Sequence, residues 1–166
     1  RFWEMRLKDP SQVPPPRIHE DFTLRSFVDG DEKALTEIHN LAFSHHWGFS
    51  PNTVEEIGYR ARMGFCRPEG ILLITHDGKA VGFCWTRMEE GPRGVTGFIS
   101  MMGTHPEYRG RGLGEAVMRV GVAYLRGAGV ARVDLTVDSQ NPSAIKIYRA
   151  GGFERRAVTL WYERSP

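Results

Sequence analysis

The stretch Arg109-Gly110-Arg111-Gly112-Leu113-Gly114 decides the fold, because it joins a predicted strand directly to a predicted helix. Glycines let the backbone turn sharply and leave N–H groups uncovered, and the N-terminus of a helix adds partial positive charge. The stretch therefore predicts a site for an anionic group such as a pyrophosphate. The alternative interpretation is a flexible turn at an ordinary helix start.

Two familiar phosphate-binding motifs do not fit this turn. A P-loop needs Lys-Ser or Lys-Thr after its glycines, whereas this chain continues Leu113-Gly114-Glu115. A dinucleotide fingerprint needs a tight turn straight after a parallel strand, but His105-Pro106-Glu107-Tyr108 intervenes here. Asp134 has the spacing of a ribose-binding acid, yet it lies within a predicted strand. A nicotinamide site is therefore disfavoured.

Periodic apolar positions on both sides of the turn predict an α/β (α+β) domain with a mixed sheet and helices packed on it. Asp77-Gly78 is a favoured hairpin turn, Asp29 or Asp31 is expected to cap the first helix, and Ser50-Pro51 to open the second. The predicted order is a strand at 22–27, helices at 34–42 and 54–63, strands at 71–75, 80–88 and 95–103, a helix from 113 that Gly127 and Gly129 end, a strand at 133–137, a helix at 141–148 and a strand at 153–163.

Composition excludes several classes of protein. The chain has 166 residues, of which 40% are hydrophobic, and a net charge of only +2, which indicates one globular domain and no nucleic-acid partner. Its longest aliphatic run, Ile71-Leu72-Leu73-Ile74, is too short to cross a membrane. Cys66 and Cys84 form no CxxC pair, so neither a disulfide framework nor a metal site is expected, and a cytoplasmic location is the simplest prediction.

Two segments resemble the signatures of the GNAT superfamily of N-acetyltransferases. Thr104-His105-Pro106-Glu107-Tyr108-Arg109-Gly110-Arg111-Gly112-Leu113-Gly114 is similar to its motif A, Arg/Gln-x-x-Gly-x-Gly/Ala, with Arg109, Gly112 and Gly114 in the pattern. Asn141-Pro142-Ser143-Ala144-Ile145-Lys146-Ile147-Tyr148-Arg149-Ala150-Gly151-Gly152-Phe153 resembles the family's second signature. The resemblance implies a mixed central sheet with a splayed strand pair and helices on both faces.

The resemblance also implies acetyl-CoA as cosubstrate and assigns residues to it. The turn from Arg109 to Gly114, with Gly110, Arg111, Gly112 and Leu113 between, would bind the pyrophosphate. The backbone of Met102 and Thr104, together with Asn141 and Ala144, would hold the pantetheine arm, and the Met102 N–H would polarise the thioester carbonyl. Tyr148 matches the position whose phenol protonates the departing thiolate, although it could instead be a core residue of a short helix.

The general base is left open by the sequence. Family members often carry a glutamate on the strand that corresponds to residues 97–102, but this run has no carboxylate. Asp138 at the end of the next strand, His45 or His46 between the first two helices, and a water held by Ser100 are the alternatives. His45 and His46 lack the spaced partners of a metal site.

The acceptor pocket in this fold is generally walled by the first two helices and their connecting loop. Here that loop supplies His46, Trp47 and Phe49, with Trp85 on a neighbouring strand. These aromatics predict a modest-sized, partly apolar acceptor, unless they are simply core.

The leading hypothesis is therefore an enzyme that transfers acetyl from acetyl-CoA to a primary amine of a small molecule by direct attack in a ternary complex. The alternatives are a catalytically silent CoA-binding domain that supports a partner domain, and a protein or peptide N-acetyltransferase.

The start of the chain suggests a second domain. Residues 1–7 alternate as a strand and resemble the closing stretch Leu160-Trp161-Tyr162-Glu163-Arg164, and residues 8–20 form a Pro-rich, extended linker. Ala42-Phe43 and the run 82–86 faintly resemble the mycothiol synthases, a tandem-domain branch of the superfamily. We therefore expect residues 1–20 to be the tail of a preceding GNAT domain and residues 21–166 to be the acetyltransferase domain.

Overall fold

A computed structural model describes residues 1–46, 49–64 and 66–160. Seven strands form one sheet in the order β2-β3-β4-β5-β6-β1-β7, with every neighbouring pair antiparallel except β5 and β6. The strands are β1 (Phe2–Leu7), β2 (Thr23–Ser26), β3 (Ile71–His76), β4 (Lys79–Gly91), β5 (Gly94–Thr104), β6 (Arg132–Asp138) and β7 (Glu154–Thr159). The helices are α1 (Glu32–Phe43), α2 (Val54–Ala61), α3 (Leu113–Gly127) and α4 (Pro142–Ala150).

Helices cover both faces of the sheet, which confirms the predicted fold class. On one face, α3 and α4 enclose the larger core, where Gly82 and Gly97 leave the space that Val117 and Leu125 occupy. On the other face, α1 and α2 enclose a second core around Phe83. The apolar stripes of the helices and the alternation along the strands therefore bury their hydrophobic residues in two layers.

Strand β1 lies inside the sheet, between β6 and β7. Met5 pairs with Leu135 on one side and with Arg155 on the other, and its side chain is 1% exposed. Leu7 is equally buried in the core under α3. The strand before the linker is therefore part of this domain's own core. Its suggested origin in a preceding domain stays a prediction.

The linker runs over α3 and is not fully extended, which corrects the sequence interpretation. Pro10–Gln12 forms one 3-10 turn because Asp9 accepts the Ser11 N–H at 3.0 Å and proline is tolerated in a first turn. Val13 is buried in the core next to α3.

The caps of two helices differ from the sequence prediction. Asp31 stands at the N-cap of α1, but its carboxylate binds Arg25 at 2.6 Å and does not cap the helix. Helix α2 begins at Val54, as predicted, but Thr53 and Glu56 form its capping box and Ser50-Pro51 does not cap it. The final strand reaches Thr159, and the predicted extension over 161–163 lies outside the described residues.

Replacing Met5 by alanine should lower the free energy of unfolding by about 2–5 kcal/mol, because it leaves a cavity between β1 and the helices. Urea denaturation would measure this change. Val158→Ala is the control, since this neighbouring strand residue is 45% exposed and should cost less than about 1 kcal/mol. Equal losses in the two variants would contradict a core role for β1.

Candidate active site

The two parallel strands at the centre of the sheet separate part-way along their length. Strands β5 and β6 pair from Thr96 and Arg132 as far as Ile99 and Leu135, and the register ends there. At the same level β5 shifts its register against β4, so that Ser100 is the additional residue of a bulge. The pair therefore splays, and main-chain polar groups of β5 beyond Ile99 face a gap instead of a neighbouring strand.

The glycine turn lies at the end of β5 and starts α3 without a side-chain cap. Gly110 and Gly112 have φ values of +80° and +75°, a left-handed conformation that favours glycine, and a Cβ at either position would point into open space. The first N–H bonded within α3 is that of Ala116, 3.1 Å from the Gly112 carbonyl. The preceding N–H groups therefore remain available to an anion.

Two arginines belong to this turn, one before Gly110 and one after it. The Arg109 guanidinium reaches the Ala42 carbonyl at the end of α1, at 3.4 Å. The Arg111 guanidinium lies 4.9 Å above the Tyr108 ring. Their positive charges adjoin the helix N-terminus, so the local field favours a phosphate group.

Close contacts hold α1, α3 and α4 around the gap. A Cβ on Gly114 would lie 2.7 Å from Ile147 of α4, and one on Gly103 would lie 2.6 Å from Ala42 of α1. Leu113 is buried at the start of α3. These glycines therefore allow three helices to approach the end of β5 more closely than a larger residue would permit.

The second signature positions α4 beside the gap. Asn141 caps the helix, with its side-chain oxygen accepting from the Ala144 N–H at 3.3 Å and from Ser143 Oγ at 3.1 Å. Asn141 thus has a structural role as the cap of α4, independent of any contact made by its side-chain NH₂ group. Ala144 is half-buried and packs on the larger core.

Tyr148 is almost fully buried in the core under α4. Its ring packs against Phe153 with centroids 5.8 Å apart. Burial, and secondarily the nearby Cys84 thiol, raise the pKa of the Tyr148 phenol above its ordinary value. Cys84 is the ladder partner of Met102 and belongs to the same core. The phenol therefore lies on the α4 side of the part of β5 beyond Ile99, and it stays protonated through the neutral range.

The candidate bases lie in two different places. Asp138 ends β6 at the edge of the gap, and its Oδ1 accepts the Gln140 N–H at 2.9 Å. His46 follows α1 and packs edge-on against Phe43, with ring centroids 5.0 Å apart. His45 is exposed in the same turn, and Ser100 is exposed at the bulge.

Of the residues predicted to wall the acceptor pocket, Trp85 is buried in the second core, with the Arg60 guanidinium 5.9 Å from its ring. Its position therefore supports the core interpretation. Phe49 is half-buried after the loop. The prediction for Trp47 lies outside the described residues.

Sequence reasoning missed His39, a buried histidine under the splayed segment. Its Nε2 is 2.9 Å from the Met101 sulfur and its Nδ1 is 3.3 Å from the Asn52 amide nitrogen. Burial, and then the charge of Arg60, lower the pKa of His39. The signal that could have revealed it is the helical period of α1, which places His39 on the same buried face as Ile38 and Ala42.

Comparison with known proteins decides the family. Residues 32–153 match the family described as Acetyltransferase (GNAT) family. The chain belongs to the GNAT family of acetyltransferases. GNAT proteins use acetyl-CoA, and the predicted family is confirmed. Among residues 1–46, 49–64 and 66–160 no group of histidine, cysteine and carboxylate side chains has the arrangement of a metal site.

Curated relatives of this GNAT chain carry the name mycothiol acetyltransferase. One from Thermobispora bispora is 36% identical over 98% of the chain and 57% of its own length, and one from Stackebrandtia nassauensis is 37% identical over 98% and 54%. A solved GCN5-related N-acetyltransferase from Sphaerobacter thermophilus superposes with a TM-score of 0.76 and 31% identity, over 93% of this chain and 48% of that one. The chain spans about half the length of these relatives.

Gly112→Asp should raise the Kd for acetyl-CoA by about a hundred-fold or more, because the new carboxylate caps the free N–H groups and repels the pyrophosphate. Isothermal titration would measure it. Gly129→Asp is the control, since Gly129 also has a left-handed φ of +87° and open space, but lies at the other end of α3. Acetyl-CoA binding that survives in the Gly112 variant would refute this placement of the anion site.

His39 should make the protein less stable in acid. Because the folded-state pKa is lowered, the unfolded chain takes up this proton first as the pH falls. The stability is thus complete above about pH 6.5 and is lost below it, by at most about 1.4 kcal/mol per pH unit.

Urea denaturation at about pH 7.5 and about pH 5.5 should therefore show a smaller loss of stability for His39→Gln than for the wild type. His45→Gln, at an exposed position after α1, should keep the wild-type loss. Identical pH dependence in the wild type and the His39 variant would rule this explanation out.

Proposed function

We propose that this domain transfers acetyl from acetyl-CoA to the primary amine of a small molecule by direct attack in a ternary complex. The observation that carries the proposal is the helix N-terminus of α3, which has no side-chain cap and follows β5, a strand whose side facing β6 is unpaired beyond Ile99. The turn suits the pyrophosphate, and the gap beyond Ile99 and Leu135 suits an extended pantetheine arm.

Donor binding would depend mainly on the backbone. The N–H groups after Gly110 would hold the pyrophosphate, with the charges of Arg109 and Arg111 beside it. Met102 and Thr104, on the unpaired edge of β5, would bond the amides of the pantetheine arm. Such contacts align the thioester for attack, which is the largest requirement of an already activated acyl donor.

Acyl transfer then needs one hydrogen-bond donor and one acid. The Met102 N–H would stabilise the negative charge that develops on the thioester oxygen. The amine nitrogen bonds to the carbonyl carbon, the carbon–sulfur bond breaks, and Tyr148 gives its proton to the leaving thiolate. Burial keeps the phenol protonated, so the acid is present at neutral pH. The proton lost by the amine returns to the phenol through solvent.

For the removal of the amine proton we favour Asp138, acting through water. It lies on β6 at the edge of the gap, and a carboxylate keeps a second oxygen when Oδ1 accepts from Gln140. His46 stays a candidate but packs on Phe43 at the end of α1. A water on Ser100 would lie at the bulge itself.

The acceptor is proposed to be a small molecule because the named relatives are called mycothiol acetyltransferases.

We further propose that residues 1–20 are the tail of a preceding GNAT domain in the same chain. The half-length match to the relatives and the likeness of residues 1–7 to the closing strand support this. A parent reading frame without such a domain upstream would overturn it.

We also propose a cytoplasmic location. Cys66 and Cys84 are both free thiols, as expected in a reducing compartment. None of the described helices has the length and apolar character to cross a membrane.

Tyr148→Phe should lower kcat by ~10²-fold and leave the Kd for acetyl-CoA within about two-fold, because only the acidic proton is removed. Assays of CoA release would measure kcat, and isothermal titration would measure the Kd. Tyr124→Phe is the control, since this tyrosine lies on α3 against Gly70. Unchanged kcat in Tyr148→Phe would remove this residue from the acid role.

The function itself is tested with a panel of amino sugars, thiol-containing amino sugars, aminoacyl amides and peptides. Release of CoA with the small amines supports the proposal. Bound acetyl-CoA without turnover would favour the silent CoA-binding domain, and turnover confined to peptides would favour a protein N-acetyltransferase.

A further inference from the structure

A cluster of aromatic side chains lies next to the glycine turn, and the proposed mechanism does not use it. Its centre is Tyr108, whose ring has Phe22, His76 and His105 as neighbours, with centroids 6.1, 5.6 and 5.6 Å away. The three neighbouring rings are inclined to the Tyr108 ring by 71°, 68° and 79°, which is the edge-to-face arrangement that aromatic pairs prefer. The Tyr108 ring therefore has a fixed position, although it precedes a turn rich in glycine.

The Tyr108 hydroxyl is bound to the end of β3. It lies 2.7 Å from Nδ1 of His76, the last residue of that strand. The Asp77 carboxylate lies 3.7 Å from the other ring nitrogen, Nε2, and favours the tautomer that carries the proton there. Nδ1 is then an acceptor, and the Tyr108 O–H donates to it. This hydrogen bond ties the start of the glycine turn to a strand 32 positions earlier in the chain.

Arg111 depends on Tyr108 for its position. It is exposed and stands between Gly110 and Gly112, so a free side chain here would sample many rotamers, and ordering it would cost conformational entropy. Its guanidinium lies 4.9 Å from the centroid of the Tyr108 ring, a cation–π contact. In the part of the chain that the structure describes, no carboxylate pairs with this guanidinium, so its charge remains available to an anion.

The two contacts of Tyr108 reinforce each other. A phenol that donates its hydrogen becomes more electron-rich, which strengthens the attraction between its ring and a cation. A ring with a fixed position also holds the Arg111 guanidinium in one place before a ligand arrives, which lowers the entropy lost on binding. Arg109 is held separately, by the Ala42 carbonyl of α1 at 3.4 Å. Each arginine of the turn therefore has its own support.

We propose that His76 is a positioning residue for the donor: through its hydrogen bond to Tyr108 it holds the Arg111 guanidinium beside the pyrophosphate of acetyl-CoA. This inference rests on the proposed function, which places the pyrophosphate at the glycine turn. A guanidinium is planar, so it binds phosphate oxygens well only when the whole group has the correct orientation. His76 itself needs no contact with acetyl-CoA. Strand β3, which is remote from the turn in the sequence, thereby contributes to donor affinity.

The test measures the Kd for acetyl-CoA by isothermal titration. Arg111→Ala should raise this Kd about ten-fold, because a charged contact to the pyrophosphate is lost. Tyr108→Phe and His76→Leu should each raise it about three-fold, because the arginine remains but loses part of its support. His76→Asn should stay within about 1.5-fold of the wild type, because the asparagine oxygen replaces Nδ1 as the acceptor.

A double-mutant cycle separates positioning from a general effect on the fold. In an Arg111→Ala background, Tyr108→Phe and His76→Leu should leave the Kd unchanged, because the group that they position is absent. Tyr59→Phe is the control, since this tyrosine of α2 is 73% exposed and should keep the wild-type Kd.

Three results would overturn the inference alone: wild-type affinity in Tyr108→Phe and His76→Leu, effects of the same size in the Arg111→Ala background, or a His76→Asn variant as weak as His76→Leu. No binding of acetyl-CoA by the wild-type protein would overturn the proposed function and the inference with it.

Discussion

The parallel ladder between β5 and β6 ends at Ile99 and Leu135, and the arrangement of the site follows from that end point. A continuous ladder would pair the backbone of Met102 and Thr104 with β6 and leave no main-chain group for a ligand. The bulge at Ser100 turns β5 away at the same level. On one side of the resulting gap lie the glycine turn and Tyr148, and on the other lies a polar cavity lined by Ser100, Asp134 and Thr136.

Small residues maintain this geometry. Gly103 allows α1 to contact the end of β5, and Gly114 allows α4 to contact the start of α3. The close packing of protein interiors makes such approaches sensitive to a single methyl group. The glycines of the signature therefore have two separate tasks. Gly110 and Gly112 supply a left-handed backbone, whereas Gly114 supplies space between helices.

The sequence predicted the fold well because its signals are local. Alternation in β6 and helical spacing in α3 each lie within one element, and the two signatures fixed how the elements follow one another. Prediction failed where a side chain had a choice of partners. Asp31 could cap α1 or bind Arg25, and only the folded chain brings Arg25 within 2.6 Å. Trp85 could equally have lined a pocket or filled a core.

The polar cavity was missed for a different reason. Arg6, Asp134 and Arg156 are far apart in the sequence. Arg6 and Asp134 alternate with buried neighbours as in any one-sided strand, whereas both neighbours of Arg156 are exposed. The pattern indicated an exposed polar face on each strand, but it carried no sign that the polar faces of β1, β6 and β7 adjoin. The insertion of β1 between β6 and β7, which brings them together, is a property of topology that a single chain pattern does not contain.

That insertion also sets the order in which the protein can mature. Arg6 and Asp134 are separated by 128 positions along the chain, and β1 can complete its pairing only after β7 has been made. Strands β3, β4 and β5 follow one another directly in the chain and can pair earlier, since pairing over short separations costs less chain entropy. During synthesis, the glycine turn and the strands before it are thus made before β1 has either of its neighbouring strands.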